Sequence, residues 1–88
     1  MLYTLSKASY DPQELQQLIQ HINEHAALLL WQDGVLQAGR SAPIFAPVKN
    51  LFVLENDLIA RGLTADFRTI SLPELVKLTE QYHPHFAL

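Results

Sequence analysis

The sequence contains no cysteine. This absence excludes disulfide bonds, zinc sites built on thiolates, and any persulfide or thioester carried by the chain itself. The three glycines are scattered and do not supply the glycine-rich loop of a phosphate-binding site. Six lysines and arginines stand against nine acids, without a basic cluster, so direct binding to nucleic acid is not expected.

Long hydrophobic runs are also missing. No apolar stretch approaches the roughly 18 residues of a membrane span, and residues 1–5 lack the regions of a signal peptide. We therefore expect a cytoplasmic protein without a membrane partner. The chain is nevertheless 49% hydrophobic and only 17% charged, compared with roughly 25% charged in typical soluble domains. Because a domain of this size buries a modest share of its surface, the excess predicts a protein partner that covers part of it.

Two short apolar runs organise the chain. Residues 26–31 are apolar without interruption and end at the polar residues and glycine of 32–34. Residues 51–54 end just as abruptly at the polar residues 55–57. Since neither run alternates, both are predicted to be strands buried on both faces of a parallel sheet. The carboxyl ends of such strands form the edge where sites are usually built.

A strand at residues 2–5 and a helix precede the first run. Asp11 is a capping residue, Pro12 suits the first helical turn, and Glu14 stands at the capping-box position. This helix is expected to end near His25. A strand, a helix and a buried strand in succession predict a βαβ unit with parallel strands.

The middle of the chain is predicted from its turn residues. Asp33 and Gly34 allow a two-residue hairpin, but we favour a turn into a short helix over residues 35–38. A loop is expected over residues 40–47, because it holds two prolines and small residues. Residues 48–54 then carry the second buried strand.

The segment after the second strand predicts a short helix and an edge strand. Asn56 or Asp57 is expected to cap a helix that ends at Arg61, with Gly62 in a left-handed conformation. The i, i+4 spacing of Asp57 and Arg61 predicts an ion pair. Residues 67–70 have the alternation of an edge strand.

The last helix is marked by Ser71 as cap, Pro73 in the first turn and Glu74 at the capping-box position. It is expected to stop before the His83–Pro84 pair and to be followed by a mobile tail. Its inward stripe is predicted to comprise Leu72, Leu75, Val76, Thr79 and Tyr82. From its residues, the whole chain, 1–88, is one small α/β domain.

Candidate chemistry is sparse. Asp33 and Glu55 could meet at the sheet edge as an acid/base pair, although a turn and a helix cap explain them equally. His21 and His25 have a metal-ligand spacing, but no third ligand accompanies them. Trp31 could stack on a ligand, although packing beneath a loop or in an interface is more typical.

We therefore predict no catalytic, cofactor-binding or metal-binding residue. The residues at the two strand ends are interpreted as ordering loops or contacting a partner subunit: Trp31, Gln32, Asp33, Gly34, Glu55, Asn56, Asp57 and Arg61.

Four segments together resemble the TusB/DsrH family. Residues 28–35, LLLWQDGV, resemble its LLLxQDGV segment. Residues 54–63 are similar to its LxEDLxARGL segment, but Asn56 stands where the family has an acid, so the acidic pair is shifted to Glu55 and Asp57. Residues 75–79, followed by His83 and Pro84, are similar to its FVxLT…HP ending. The strand at the start also fits.

The resemblance implies a three-layer α/β/α sandwich with a mostly parallel sheet of four or five strands. It also implies the smallest subunit of a sulfur-relay complex with TusC-like and TusD-like subunits, expected as a dimer of heterotrimers. Such a complex takes persulfide sulfur from a TusA-like donor and passes it to a TusE-like acceptor. The sulfur ends in 2-thiouridine at the tRNA wobble position.

The resemblance also implies that the sulfur-carrying cysteine of the Tus complex belongs to the TusD-like subunit, although some DsrH-type relatives have a cysteine of their own. This chain has none, which favours the Tus branch and a non-catalytic structural role without a cofactor. Two alternatives stay open: a small enzyme using Asp33, Glu55 and a histidine, or a free-standing ligand-binding or regulatory domain with a pocket near Trp31.

Overall fold

Five parallel strands form one sheet at the centre of the protein. The computed structural model describes residues 1–22, 25–40 and 42–88. Across the sheet the strands follow the order β4-β3-β2-β1-β5. In chain order they are β1 (Leu2–Leu5), β2 (Ala27–Leu30), β3 (Leu51–Leu54), β4 (Thr69–Ile70) and β5 (His85–Ala87). The predicted parallel βαβ start is confirmed, since β1 and β2 pair in parallel.

The helices are short, and a 3-10 helix at Gln32–Leu36 precedes the second of them. They are α1 (Pro12–His21), α2 (Gln37–Arg40), α3 (Ala42–Phe45), α4 (Glu55–Ala60) and α5 (Leu72–Gln81). The chain is helical at Asp33 and Gly34 and beyond them. The favoured prediction, a turn into a short helix, is therefore confirmed, and the two-residue hairpin is not formed.

Alternation along β3 shows how the sheet divides two cores. Leu51 and Val53 lie in a larger core with buried residues of α1 to α4, whereas Phe52 and Leu54 lie in a smaller core with α5. One face of the sheet is therefore covered by α1 to α4 and the other by α5. This confirms the three-layer α/β/α sandwich. All residues of β2 and β3 are buried, as their apolar runs predicted.

The first helix is capped as predicted but ends earlier. The Asp11 carboxylate accepts a hydrogen bond from the Gln13 N–H at 2.8 Å. The helix ends at His21, and Ile22 is already extended (φ −76°, ψ 115°). The predicted end near His25 is wrong, because the chain must leave the helix to reach β2 at Ala27.

The inward stripe of α5 differs from the prediction. Leu78 is its buried residue, and Leu75 and Tyr82 pack beside it against the smaller core. Leu72 and Val76, which were predicted to face inward, are 51% and 57% exposed. The face toward the sheet follows Leu75, Leu78 and Tyr82 at i, i+3, i+7, which turns Leu72 and Val76 outward.

Between β2 and β3, part of the predicted loop is helical. The short helix α3 lies within it, because Phe45 is fully buried in the larger core and fixes the backbone there. The strand that follows begins at Leu51 rather than at residue 48.

The fourth helix begins at Glu55, immediately after β3, so Asn56 and Asp57 are not its caps. Leu54 occupies the N-cap position without a side-chain hydrogen bond. The predicted left-handed conformation of Gly62 is confirmed, with φ 64°. At the sheet edge, β4 is confined to Thr69–Ile70, the last part of the predicted strand.

The segment after α5 is not a mobile tail. It forms β5, which pairs in parallel with β1. The Leu2 N–H donates to the Pro84 carbonyl at 3.0 Å, and the Phe86 ring stacks on Tyr3 with centroids 5.3 Å apart. A strand of three residues is too short to show a regular alternation of polar and apolar residues, so the sequence did not indicate β5.

Candidate functional site

The loop after β2 begins with a residue in a conformation that side chains seldom adopt. Gln32 has φ 53°, in the left-handed region where a residue with a Cβ is disfavoured. The Asp57 carboxylate accepts a hydrogen bond from the Gln32 N–H at 2.5 Å. This bond fixes the first backbone step of the loop and ties it to α4.

Gly34 allows the same loop to pack against the end of β1. A Cβ placed on Gly34 would lie 1.8 Å from the Leu5 carbonyl oxygen, so a side chain cannot be accommodated without moving the backbone. The Trp31 N–H donates to that same carbonyl at 3.2 Å, and the Gly34 N–H donates to the Trp31 carbonyl at 2.9 Å. The carboxyl ends of β1 and β2 are therefore in direct contact.

Arg61 completes the arrangement from the end of α4. Its Nη2 and Nε lie 2.8 and 3.1 Å from Oδ1 of Asp33. Its Nη1 donates to the Asp57 carbonyl at 3.1 Å and lies 3.7 Å from the Asp57 carboxylate. The predicted ion pair between Asp57 and Arg61 is confirmed. The shorter pair with Asp33, 28 residues away, has no signal in local sequence spacing.

Two of the three polar residues at the end of β3, Glu55 and Asn56, do not join this ion-paired group. Glu55 and Asn56 are exposed, and no described residue forms a hydrogen bond or ion pair with their side chains. Glu55 lies in the first turn of α4, where a negative charge is favoured by the helix dipole. No described contact links Glu55 to Asp33, whose carboxylate is held by Arg61. The geometry therefore provides no support for an acid/base pair.

Trp31 lies on the other side of the sheet, against the smaller core. It contributes to a cavity of about 260 Å³ between α5, β1 and β5. The cavity is lined by Leu2, Thr4, Leu29, Trp31, Leu75, Thr79, His85 and Ala87. The indole Nε1 is buried and has no hydrogen-bond partner among the described residues. The sequence analysis left open a pocket near Trp31, but it did not predict β5, which supplies His85 and Ala87 to the wall of this cavity.

The histidines show no common site. His21 ends α1, whereas His25 lies in a turn beyond it. His85 Nε2 lies 3.0 Å from the Thr79 carbonyl. Within 1–22, 25–40 and 42–88, no three or more His, Asp or Glu side chains are grouped to hold a metal ion. No helix in those ranges has the length and apolar character needed to cross a membrane.

The segments at this edge are matched by a family model. The model described as DsrH like protein matches residues 7–85. The chain belongs to the DsrH-like family. The resemblance noted in the sequence is confirmed, and the match includes both strand ends that form the candidate site.

Several proteins are similar to this DsrH-like chain over nine-tenths or more of its length. An uncharacterized protein of Haemophilus influenzae is 42% identical over 95 residues, covering 100% of both chains. Protein TusB of Sodalis glossinidius is 38% identical over 91 residues, covering 92% of this chain and 93% of that protein. Protein TusB of Yersinia pestis is 35% identical and covers 99% of each.

A solved structure has the same fold. Protein Tm0979 of Thermotoga maritima, determined by solution NMR, aligns with a TM-score of 0.65 at 21% identity, covering 91% of this chain and 92% of that one. At this identity the likeness concerns the fold, and it agrees with the sandwich described above.

Proposed function

We propose that the protein is a non-catalytic structural subunit of a TusBCD-like sulfurtransferase complex. The complex would relay persulfide sulfur in the cytoplasm for 2-thiolation of the wobble uridine of tRNA. Membership of the DsrH-like family and the curated relatives named TusB support a subunit related to sulfur relay. In this role the chain binds TusC-like and TusD-like subunits, and the complex exchanges sulfur with a TusA-like donor and a TusE-like acceptor.

The observation that carries the non-catalytic assignment is the absence of cysteine from a member of this family. Persulfide transfer requires a thiolate that attacks and then holds the sulfur. Since no residue of this chain can do so, the sulfur-bearing cysteine belongs to a partner. The contribution of this chain is then to build or shape the surface around that cysteine.

The ion-paired group at the carboxyl ends of β2 and β3, formed by Gln32, Asp33, Asp57 and Arg61, is suited to such a surface. Asp57 and Arg61 hold Gln32 and Asp33 in a fixed geometry, so the loop is ordered before any partner arrives. Preorganisation of this kind lowers the entropy lost on binding. The exposed side chains of Gln32 and Glu55 lie at the carboxyl ends of neighbouring strands, where they are available to a partner subunit.

Apolar surface also supports a role in assembly. Several large hydrophobic side chains of the chain are exposed: Met1, Ile59, Leu72, Val76, Phe86 and Leu88. Leu72 and Val76 lie one helical turn apart on α5, so they form neighbouring apolar side chains of the kind that a partner covers.

Co-expression with TusC-like and TusD-like chains of the same genome tests the proposal. We expect a stoichiometric complex of all three by native mass spectrometry, and persulfide transfer by that complex from a TusA-like donor. Arg61→Ala should weaken the complex, whereas Lys49→Ala, on a distant turn, should not. If the chain is co-expressed with both partners and still purifies folded and without them, the proposed role is contradicted.

The cavity beside Trp31 favours a second candidate, a small-molecule-binding or regulatory domain. Its walls are mainly apolar, as in most ligand sites, and Trp31 is the sole tryptophan of the chain. A ligand would quench Trp31 fluorescence saturably, and Leu75→Phe, which adds volume at the cavity wall, should reduce that response. Fluorescence unaffected by a metabolite panel would leave this candidate without support.

A further inference from the structure

The two edges of the sheet differ in how they are protected. At one edge, β4 is two residues long, and the adjacent Arg68 places its guanidinium over the Phe52 ring at 5.3 Å. Short strands and charged side chains are the usual means of preventing an edge from pairing with another chain. The β4 edge therefore carries ordinary protection.

At the other edge, β5 is also short, with three residues, but it lacks charged side chains of this kind. All three of its residues are exposed, and residues 81–88 contain no lysine, arginine, aspartate or glutamate. Phe86 and Leu88 are 41% and 40% exposed. An apolar, uncharged edge strand is a template for pairing with a further strand.

The hydrogen bonds to β1 identify the free backbone groups of β5. The Leu2 N–H donates to the Pro84 carbonyl, and the Leu88 N–H donates to the Thr4 carbonyl at 2.9 Å. Because backbone groups alternate sides along a strand, Phe86 also bonds toward β1. His85 and Ala87 therefore direct their N–H and C=O groups away from the sheet.

We propose that β5 pairs with β5 of a second copy of this chain, antiparallel and across a two-fold axis at Phe86. In this register His85 lies opposite Ala87 of the second copy, and the reverse pair follows by symmetry. Both residues present outward N–H and C=O groups, so each pair exchanges both of its hydrogen bonds. The two sheets become one continuous sheet.

The side chains fit the same register. Phe86 lies opposite its own copy as a non-hydrogen-bonded pair, in which Cα atoms approach to about 4.5 Å and side chains are in contact. Each Phe86 already stacks on Tyr3, so the pairing forms a cluster of aromatic rings. A surface that is complementary to itself across a two-fold axis is what an isologous dimer requires.

A ladder of three-residue strands buries little area, so the isolated chain should form a weak dimer that depends on concentration. The inference goes beyond the proposed function and does not require it, since the test uses the chain alone. Sedimentation velocity from micromolar to millimolar concentration should show a monomer converting to a dimer. A monomer throughout this range would overturn the inference.

Charge substitutions at Phe86 test the register. Phe86→Lys and Phe86→Glu each place like charges opposite one another, so each should weaken self-association by roughly tenfold or more. An equimolar mixture of the two variants should recover association, because opposite charges then meet. The matched substitutions Ile59→Lys and Ile59→Glu, at an exposed position of α4, should leave self-association unchanged. A mixture that associates no better than either variant would overturn the register.

A backbone substitution provides an independent test. Ala87→Pro removes an N–H that β1 does not use, so it should abolish dimerisation while β5 stays paired with β1. In the unmodified chain, the amides of His85 and Ala87 should become more protected from hydrogen exchange as concentration rises. Equal exchange at all concentrations, or full dimerisation of the proline variant, would contradict the pairing.

Discussion

Arg61 and Asp33 form an ion pair, with Nη2 2.8 Å from Oδ1, that joins the end of α4 to the loop after β2. The pair is partly exposed, at 29% and 58% for the two side chains. Water therefore screens much of its attraction. Its role is to define the position of the loop rather than to supply much of the stability.

The first prediction concerns this ion pair. Arg61→Ala should lower the free energy of unfolding by about 1 kcal/mol, because it removes the Asp33 pair and the bond to the Asp57 carbonyl. A double-mutant cycle with Asp33→Ala should give a coupling of about 0.2–1 kcal/mol in urea denaturation. Glu55→Gln, at an exposed position, is the control and should change stability by less than about 0.5 kcal/mol. Zero coupling would contradict a contribution of this pair to the stability of the fold.

The second prediction contrasts two glycines. Gly34→Ala should destabilise the protein by about 3 kcal/mol or more, because the new methyl group would overlap the Leu5 carbonyl and force the backbone to move. Gly39→Ala is the control: a Cβ at Gly39 meets nothing within 4 Å, and alanine favours the helix by about 0.5–1 kcal/mol. Thermal unfolding measures both variants. Similar melting temperatures for the two would contradict the close approach of the loop to β1.

The third prediction tests which face of α5 is inward. Leu78→Ala should cost about 2–5 kcal/mol, because it opens a cavity in the smaller core. Val76→Ala, at a position 57% exposed, should change stability by less than about 0.5 kcal/mol. Chemical denaturation of the two variants would decide between this face and the stripe expected from the sequence, which placed Val76 inward.

The fourth prediction concerns the capping box of α5. The Ser71 N–H donates to the Glu74 carboxylate at 3.0 Å, and the Ser71 hydroxyl lies at the same distance from it. These bonds, the backbone bond first, lower the pKa of Glu74 from its ordinary value of 4.5. Because the folded pKa is depressed, Glu74 stabilises the folded protein above pH 4.5, and this contribution is lost as the pH falls through the lowered pKa.

Glu74→Gln tests this linkage, because glutamine keeps the capping geometry without the charge. The stability of the variant should fall less steeply than that of the unmodified protein as the solution is acidified from neutral pH. Unfolding free energies measured across that range check the expectation. Parallel profiles for the two proteins would mean that the Ser71 bonds do not favour the charged carboxylate.

The features with local causes could be predicted from the sequence. The apolar runs defined β2 and β3, and Ser71 with Glu74 defined the start of α5, because burial on both faces and capping leave direct marks on neighbouring residues. Gly62 was assigned its left-handed backbone for the same reason.

The features that depend on tertiary contacts could not be predicted. Which side of α5 faces inward is decided by the sheet beneath it, and β5 exists because β1 offers an open edge. Asp33 and Arg61 are 28 residues apart in the chain, so no local spacing, such as the i, i+4 spacing of Asp57 and Arg61, indicates that they form a pair. Asp57 was expected at a helix cap and instead binds the Gln32 N–H, because α4 starts directly from β3.

The position of β1 in the sheet also has a consequence for the order of folding during synthesis. β1 leaves the ribosome before the other strands of the sheet, yet it lies between β2 and β5, the strand that follows the others in the chain. The edge of β1 that pairs with β2 can do so once residue 30 has emerged. The edge that pairs with β5 stays open until residues 85–87 have emerged. β1 is therefore fully paired only after β5 has been made, and until then the nascent chain carries an unpaired edge of β1.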